Sequence, residues 1–380
     1  MRLQLALAVV LGVALATSAT AYADGSLSAR GVYYKEKATR VVQPMLDGMF
    51  EVGERGLVNG HFLVDAITSA SQSAGAVNAT AFTENRVEGG LGYTHLVDIL
   101  DGARFGATAK YSKESDYRSL YLGARAELDL AEKNTTIGFG GGYGRDVISG
   151  GAGGGLGQIM LQCEAGGGEL PECLLNTYSV FASATQIIDK RTVVSLSYDL
   201  NLMRGYQSNP YRSAIVGMNT ERENHPTERN RHAVAISGRY YYEPTETAII
   251  AQYRYYRDDW LKHGRIGAGA HTPEIRIIQQ VGDTIDTSLR YRFHTQLAAF
   301  FYKDRYVMSP TDGFISDDVK LSAFRTHTVE AKVGMLGETF GLSGRWAPVR
   351  FEAILTYIAQ DNRFGNAFVA HAAVTLPFEY

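Results

Sequence analysis

The stretch "NAFVAHAAVTLPFEY", residues 366–380, closes the chain. Every second residue, Phe368, Ala370, Ala372, Val374, Leu376, Phe378 and Tyr380, is apolar or aromatic. The interleaved set, Val369, His371, Ala373, Thr375, Pro377 and Glu379, is smaller and more polar. A period of two puts these sets on opposite faces of a β-strand. An exposed apolar strand at a sheet edge invites aggregation. A closed barrel in a membrane has no edge, and there an apolar outer face is a requirement.

The same period recurs along the chain. In "TVVSLSYDLNL" (192–202), Val194, Leu196, Tyr198, Leu200 and Leu202 oppose Ser195, Ser197, Asp199 and Asn201. In "DTIDTSLRYRFHTQ" (283–296), Leu289, Tyr291 and Phe293 oppose Asp286, Ser288, Arg290, Arg292 and His294. Fifteen such segments can be placed between 40–53 and 366–380, and "SLSARGVYYKEK" (26–37) supplies a sixteenth. They run to about 12 to 15 residues, beyond the usual 5 to 6 of globular strands and enough for a tilted membrane strand. Short turns at 131–134, 188–191, 243–246 and 281–283 alternate with long loops at about 148–174, 204–229, 259–270 and 297–324. Short turns at one end and long loops at the other are the signature of an outer-membrane barrel. The expected fold is all-β: one transmembrane antiparallel up-and-down β-barrel of about 16 strands, with 14 as the alternative.

The N-terminus reads as a cleaved signal peptide over residues 1–23. Arg2 precedes an apolar run, Leu3 to Ala16, and Ala21-Tyr22-Ala23 gives a small-x-small site. The barrel domain is then 24–380. No later apolar run is long enough for a spanning helix. Gly 41, Tyr 23 and Phe 16 suit many strands, tight turns and aromatic girdles. A net charge of −3 argues against nucleic acid, which selects a basic stripe. The two cysteines, Cys163 and Cys173, are expected to pair in an oxidising compartment.

The terminal "AVTLPFEY" resembles the C-terminal assembly signal of Gram-negative outer-membrane proteins. That resemblance implies recognition by the barrel-assembly machinery, with Leu376, Phe378 and Tyr380 as the matching positions. The stretches "VYYKEKATRVVQPMLDGMFEV" and "VDAITSAS" (64–71) are similar to a family of outer-membrane proteins known only as a domain of unknown function. This resemblance implies the fold and supplies no activity.

Candidate chemistry lies on the wall and in the loops. His61, Asp65 and Ser69 share a strand face, but residues four apart on a strand sit about 13 Å apart at about 3.3 Å per residue, too far for a catalytic triad. They read as polar lining, so no enzyme is expected. The nine histidines occur singly, with no metal motif and no cofactor; His225 with His232, or His263 with His271, could approach on outer loops, where they read as solvated loop residues. The glycine run 150–158 lacks the ending of a phosphate loop. Alternation puts Arg125, Glu127, Asp199, Arg239, Arg254, Asp286, Arg290, Arg292, Glu330, Lys332, Arg350 and Glu352 on the lumen side, along with Lys110, Asp129, Glu274 and Arg276. Arg254, Arg290 and Arg292 are the foremost cationic candidates. Such charges fit a wet interior, whereas a cation on the lipid face costs about 2 to 4 kcal/mol at mid-depth. The loop 297–324 is aromatic first and acidic later, and is expected to fold in and constrict the barrel, with capping the mouth or binding a partner as alternatives. The loop 219–232 reads as solvated.

The leading expectation is a porin-like channel for small polar or charged solutes, embedded in outer-membrane lipid. A non-conducting platform for another envelope component is the alternative. The solute and the oligomeric state are not legible.

Overall fold

The structure, a computed structural model, describes residues 24–37, 39–69, 82–150, 160–164, 167–261 and 269–378. The signal peptide, Ser71, His263, Tyr380 and nearly all of the glycine run lie outside the described residues, as do the side chains of Thr68 and Ser69.

The strands, in chain order, are β1 Gly25–Lys35, β2 Thr39–Val52, β3 Gly56–Ser69, β4 Phe82–Val97, β5 Ala103–Lys113, β6 Tyr117–Leu130 and β7 Thr135–Ser149. Two short pieces follow, β8 Leu161–Gln162 and β9 Glu169–Leu170, and then β10 Glu172–Asp189 and β11 Thr192–Gly205. The hairpin β12 Ser213–Val216 and β13 Asn219–Arg222 lies within a loop. The rest are β14 Glu228–Tyr242, β15 Thr247–Asp258, β16 Ala270–Val281, β17 Ile285–Gln296, β18 Phe324–Leu336, β19 Arg350–Gln360 and β20 Ala367–Phe378. Sixteen of them, all but β8, β9, β12 and β13, close into one barrel of sequential neighbours. Closure joins β1 to β20 antiparallel, with Leu27 opposite Leu376 and Ser28 opposite Thr375. The strand set predicted from alternation is the observed one, and sixteen replaces fourteen.

Alternation sorts the wall. Leu91 (67% exposed), Leu289 (56%) and Leu355 (54%) point outward with Phe139, Ile236 and Ile277, an apolar exterior that only hydrocarbon would cover. Leu376 and Phe378 share that outer face. Five times around the barrel a tyrosine on a strand running toward the loop end bonds a His or Asn at the start of the next. The pairs are Tyr143–Asn176 (2.7 Å), Tyr198–His232 (2.8 Å), Tyr253–His271 (2.6 Å), Tyr291–His327 (2.8 Å) and Tyr357–Asn366 (2.7 Å). Each keeps a phenol satisfied at the level where an apolar belt meets polar headgroups. This corrects the loop reading of His232 and His271, which lie on the outer faces of β14 and β16.

One end carries the tight turns. Gly282, at φ +63°, lets the chain reverse between β16 and β17. The 337–349 connection at the same end breaks the short-turn rule. The strand expected over 346–360 begins only at Arg350, because Pro348 has no N–H for the sheet and 3₁₀ turns fill Gly337–Phe340 and Gly344–Trp346. On the inner face of β7 stand Gly138, Gly140, Gly142 and Gly144. A Cβ at Gly140 would lie 2.7 Å from the Ala124 carbonyl, and one at Gly142 would lie 2.2 Å from Tyr121 Oη, so the bare backbone gives Tyr121 and Arg125 room to lie flat along the wall.

Candidate functional site

The lumen wall is built of matched charges. Arg104 on β5 reaches Glu127 (2.9 Å) and Asp129 (2.8 Å) on β6. Across β1 to β4 a chain runs from Arg30 to Asp47 (2.8 Å), to His61 (2.7 Å) and on toward Glu88 (3.7 Å). Asp65 pairs with Arg86 at 2.7 Å. His61 and Asp65 are thus held by ionic neighbours of their own rather than by each other. On β16 to β19, Arg292 meets Glu274 at 2.6 Å, Arg290 pairs with Glu330, Lys332 meets Glu352 at 2.5 Å, and Arg350 pairs with both Asp286 and Glu352. Gly334 leaves space on β18 for the Arg350–Asp286 pair to cross it. Opposed charges on neighbouring strands stabilise the pairing, and a wet lumen keeps their desolvation modest. Arg290 and Arg292, the foremost cationic candidates from sequence, are therefore already balanced by Glu274 and Glu330. Arg125 bonds Thr94 at 3.2 Å, and Arg276 lies 3.6 Å from Glu274. Lys110, Asp199 and Arg239 also occupy inner-face positions, read from strand register.

The loop end is closed by a folded cap. Tyr306 is its hub, 1% exposed, accepting from the Ser316 amide at 2.8 Å and packing with Ala214, Val216 and Ile315. A second cluster joins Phe301 and Ala299 to Trp260 on the loop after β15. Bridges tie Val216 to Tyr306, Asn224 to Ile315 and Leu261 to Ala299. Ion pairs run from Arg212 to Asp318 and from Arg363, between β19 and β20, to Asp317. Tyr211 bonds Asp116, between β5 and β6. Those two anchoring turns stand ten strands apart one way round the barrel and six the other, so the cap crosses the mouth. Cys163 and Cys173 form a disulfide beside it. Of the 219–232 stretch, expected to be solvated, residues 219–227 are part of this cap and 228–232 open β14. Glu223 and His225 are each only 6% exposed, because Ser316 and Asp317 close over the first while Phe301 and Trp260 pack on the second.

Glu223 Oε1 accepts from Ser316 Oγ (2.7 Å) and the Asp317 amide (3.0 Å). Its Oε2 faces His225 Nε2 at 3.6 Å, and both atoms are buried with no hydrogen-bond partner among the described residues. His225 Nδ1 lies 3.0 Å from the Gln207 carbonyl and must donate to it, so Nε2 offers a lone pair toward the carboxyl. Burial raises the Glu223 carboxyl from 4.5 to about 7, against the Ser316 bond and nearby Arg212. Burial lowers the His225 imidazole from 6.5 to about 4, with Asp318, Arg212 and Arg229 also acting on it. The packed pair holds one proton from about pH 4 to about pH 7, whereas a solvated pair holds two below 4.5 and none above 6.5. The raised Glu223 value gives stability that is lost as pH rises through about 7. The lowered His225 value gives stability that is lost as pH falls through about 4. Amide exchange in 299–316 should therefore speed up between about pH 6 and about pH 7.5 and level off above, beyond its intrinsic rise. Glu223→Gln should remove that alkaline loosening; the same loosening in the variant would show that another group titrates.

Beneath the cap lies a cavity of about 460 Å³, bounded by the wall (Met203, Arg229, Arg231, Arg254, Tyr256, His294, Gln296) and by the cap (Gln207, His225, Asp318, Lys320, Leu321). Asp258, with a fully buried side chain, organises its rim. It accepts from Arg229 Nε (2.6 Å), Tyr256 Oη (2.6 Å) and the amides of Trp260 and Leu261 (both 3.0 Å). Arg229 lies over the Trp260 ring, 4.1 Å from its centroid. Of these residues sequence reading had singled out only Arg254 as a channel candidate. The available signal was phase: Arg229, Arg231 and Arg239 share one parity on β14.

A closed barrel with an apolar exterior, a charge-matched lumen and a folded cap defines the class: a porin-like transmembrane β-barrel. The chain belongs to the family described as "Protein of unknown function (DUF3570)", whose model matches residues 79–352. Among solved structures it is similar to a bacterial polysaccharide outer membrane secretin, at 8% identity and TM-score 0.53 over 94% of this chain and 100% of that one. It is also similar to the Pseudomonas aeruginosa outer membrane protein OpdK, at 9% identity and TM-score 0.47 over 94% and 99% of the two chains. For OprD of the same organism the values are 8%, 0.44, 94% and 94%. At these identities the likeness is one of fold. No curated protein matches the sequence.

Proposed function

We propose that the protein is an outer-membrane channel that passes small polar or charged solutes passively, with its loop end outward and the cap at 206–227 and 297–323 as the constriction. The carrying observation is the capped, charged lumen. A wall of ion pairs needs water beside it, and a barrel this wide typically encloses an aqueous path unless it is plugged. Arrival there calls for export with cleavage after Ala23 and recognition of Leu376, Phe378 and Tyr380 by the assembly machinery. Liposome swelling tests the reading directly. Vesicles carrying the folded protein should swell in small sugars and amino acids and stop swelling as solute size grows. Swelling no faster than in protein-free vesicles would remove passage and leave the platform reading.

A further inference from the structure

Many wall charges are paired across strands, but Lys110, Arg125, Arg239, Arg231 and Arg254 have no ion pair among the described residues, and the last two stand together at the cavity. Arg231 and Arg254 flank Tyr256 from two strands, each guanidinium 5.5 Å from the ring centroid. Arg231 Nε donates to Tyr256 Oη at 2.9 Å, and that hydroxyl donates in turn to Asp258. Among the described residues neither guanidinium has a carboxylate within ion-pair distance, whereas Arg229 on the same face has Asp258. The cavity is lined by four cationic side chains, Arg229, Arg231, Arg254 and Lys320, against one carboxylate, Asp318, which Arg212 already holds. Its remaining wall includes Leu175, Met203 and Leu321. Two part-buried guanidiniums without an ion-pair partner, side by side beneath the cap, form an electrostatic well for an anion. Their planar forks suit carboxylate oxygens.

We propose that this cavity binds a small organic anion, with its carboxylate between Arg231 and Arg254 and its apolar body against Leu175, Met203 and Leu321. A volume of about 460 Å³ suits a ligand of a dozen or so heavy atoms, and such sites join an apolar lining to a few placed polar groups. Its role as a capture point on the solute path rests on the channel reading, but binding itself is measured apart from conduction.

Trp260 lines the cavity, and Trp346 is the only other tryptophan, so Trp346→Phe leaves a single reporter at the site. Folded protein in a neutral maltoside detergent, titrated with hexanoate, should show a saturable change in Trp260 emission. Hexanol, with the same body and no charge, should leave it unchanged, as should inorganic phosphate at equal ionic strength. Arg231→Gln with Arg254→Gln should weaken hexanoate binding at least tenfold. Arg254→Gln alone, which disturbs only the stack on Tyr256, keeps the test available should the double variant fail to fold. Equal binding of hexanol, displacement by phosphate at equal concentration, or unchanged affinity in folded variants would each overturn the site. A barrel that binds hexanoate and conducts nothing would keep the site and sink only the channel.

Discussion

Replacing residues 303–319 by a short Gly-Ser linker should raise single-channel conductance about threefold or more, because a wide barrel without its plug encloses a water-filled lumen. The expectation follows from how the cap is held. Its core is its own: Tyr306 is enclosed by Ala214, Val216 and Ile315, and Phe301 by Trp260 and Ala299. Few of its backbone groups bond to the barrel strands, so its loss should leave the sixteen-strand ladder intact. Tyr306→Ala makes the same point with one side chain. Truncating a buried aromatic costs about 3 to 5 kcal/mol, which is enough to unpin a loop whose local stability is of that order. That variant should flicker between the native level and the higher level of the linker variant. A linker variant with unchanged conductance would mean that the constriction lies elsewhere in the lumen.

The second large effect is expected at Asp258. Its buried carboxylate holds Arg229, the Tyr256 hydroxyl and two amides of the following turn. Asp258→Ala leaves the Arg229 charge part-buried without its partner and frees two amides. Removing one member of a buried pair costs about 3 to 5 kcal/mol. The damage should stay local, because the barrel closes without this residue. Amides at 228–232 and 260–261 should exchange faster by about two to three decades, at about 1.4 kcal/mol per decade, while β1 to β5 are unaffected. Asp258→Asn keeps the shape and part of the bonding and should fall between. Hydrogen exchange with mass spectrometry distinguishes these outcomes. A uniform rise around the barrel would show that Asp258 supports the global fold rather than the mouth.

How far the sequence could be read follows from the range of the interactions. Leu289, Tyr291 and Phe293 alternate with Arg290, Arg292 and His294 because lipid and water lie on opposite sides of one strand, a local pattern that needs no knowledge of the neighbours. Parity alone placed Asp286, Glu330, Lys332, Arg350 and Glu352 on the inner face. Which charge meets which depends on register, so the balancing of Arg290 by Glu330 could not be seen. The cap was the least legible part. Glu223 is buried by Ser316 and Asp317, more than ninety residues away, and nothing between 219 and 232 announces that contact. Composition made that segment look solvated, while Ser316 and Asp317 of another loop close over Glu223. The outer Tyr–His belt was hidden for a related reason: each pair spans two strands, and single histidines carry no mark of it. Arg231 shows the opposite case, since its phase with Arg239 on β14 was readable but was obscured by the polar stretch around it.

The most direct test of the central claim is single-channel recording of the refolded, heat-modifiable protein in a planar lipid bilayer. A water-filled, capped barrel predicts steady, small unitary steps that grow when the cap is removed. Well-folded protein that stays silent with and without its cap would contradict the channel and make the barrel a support for something else.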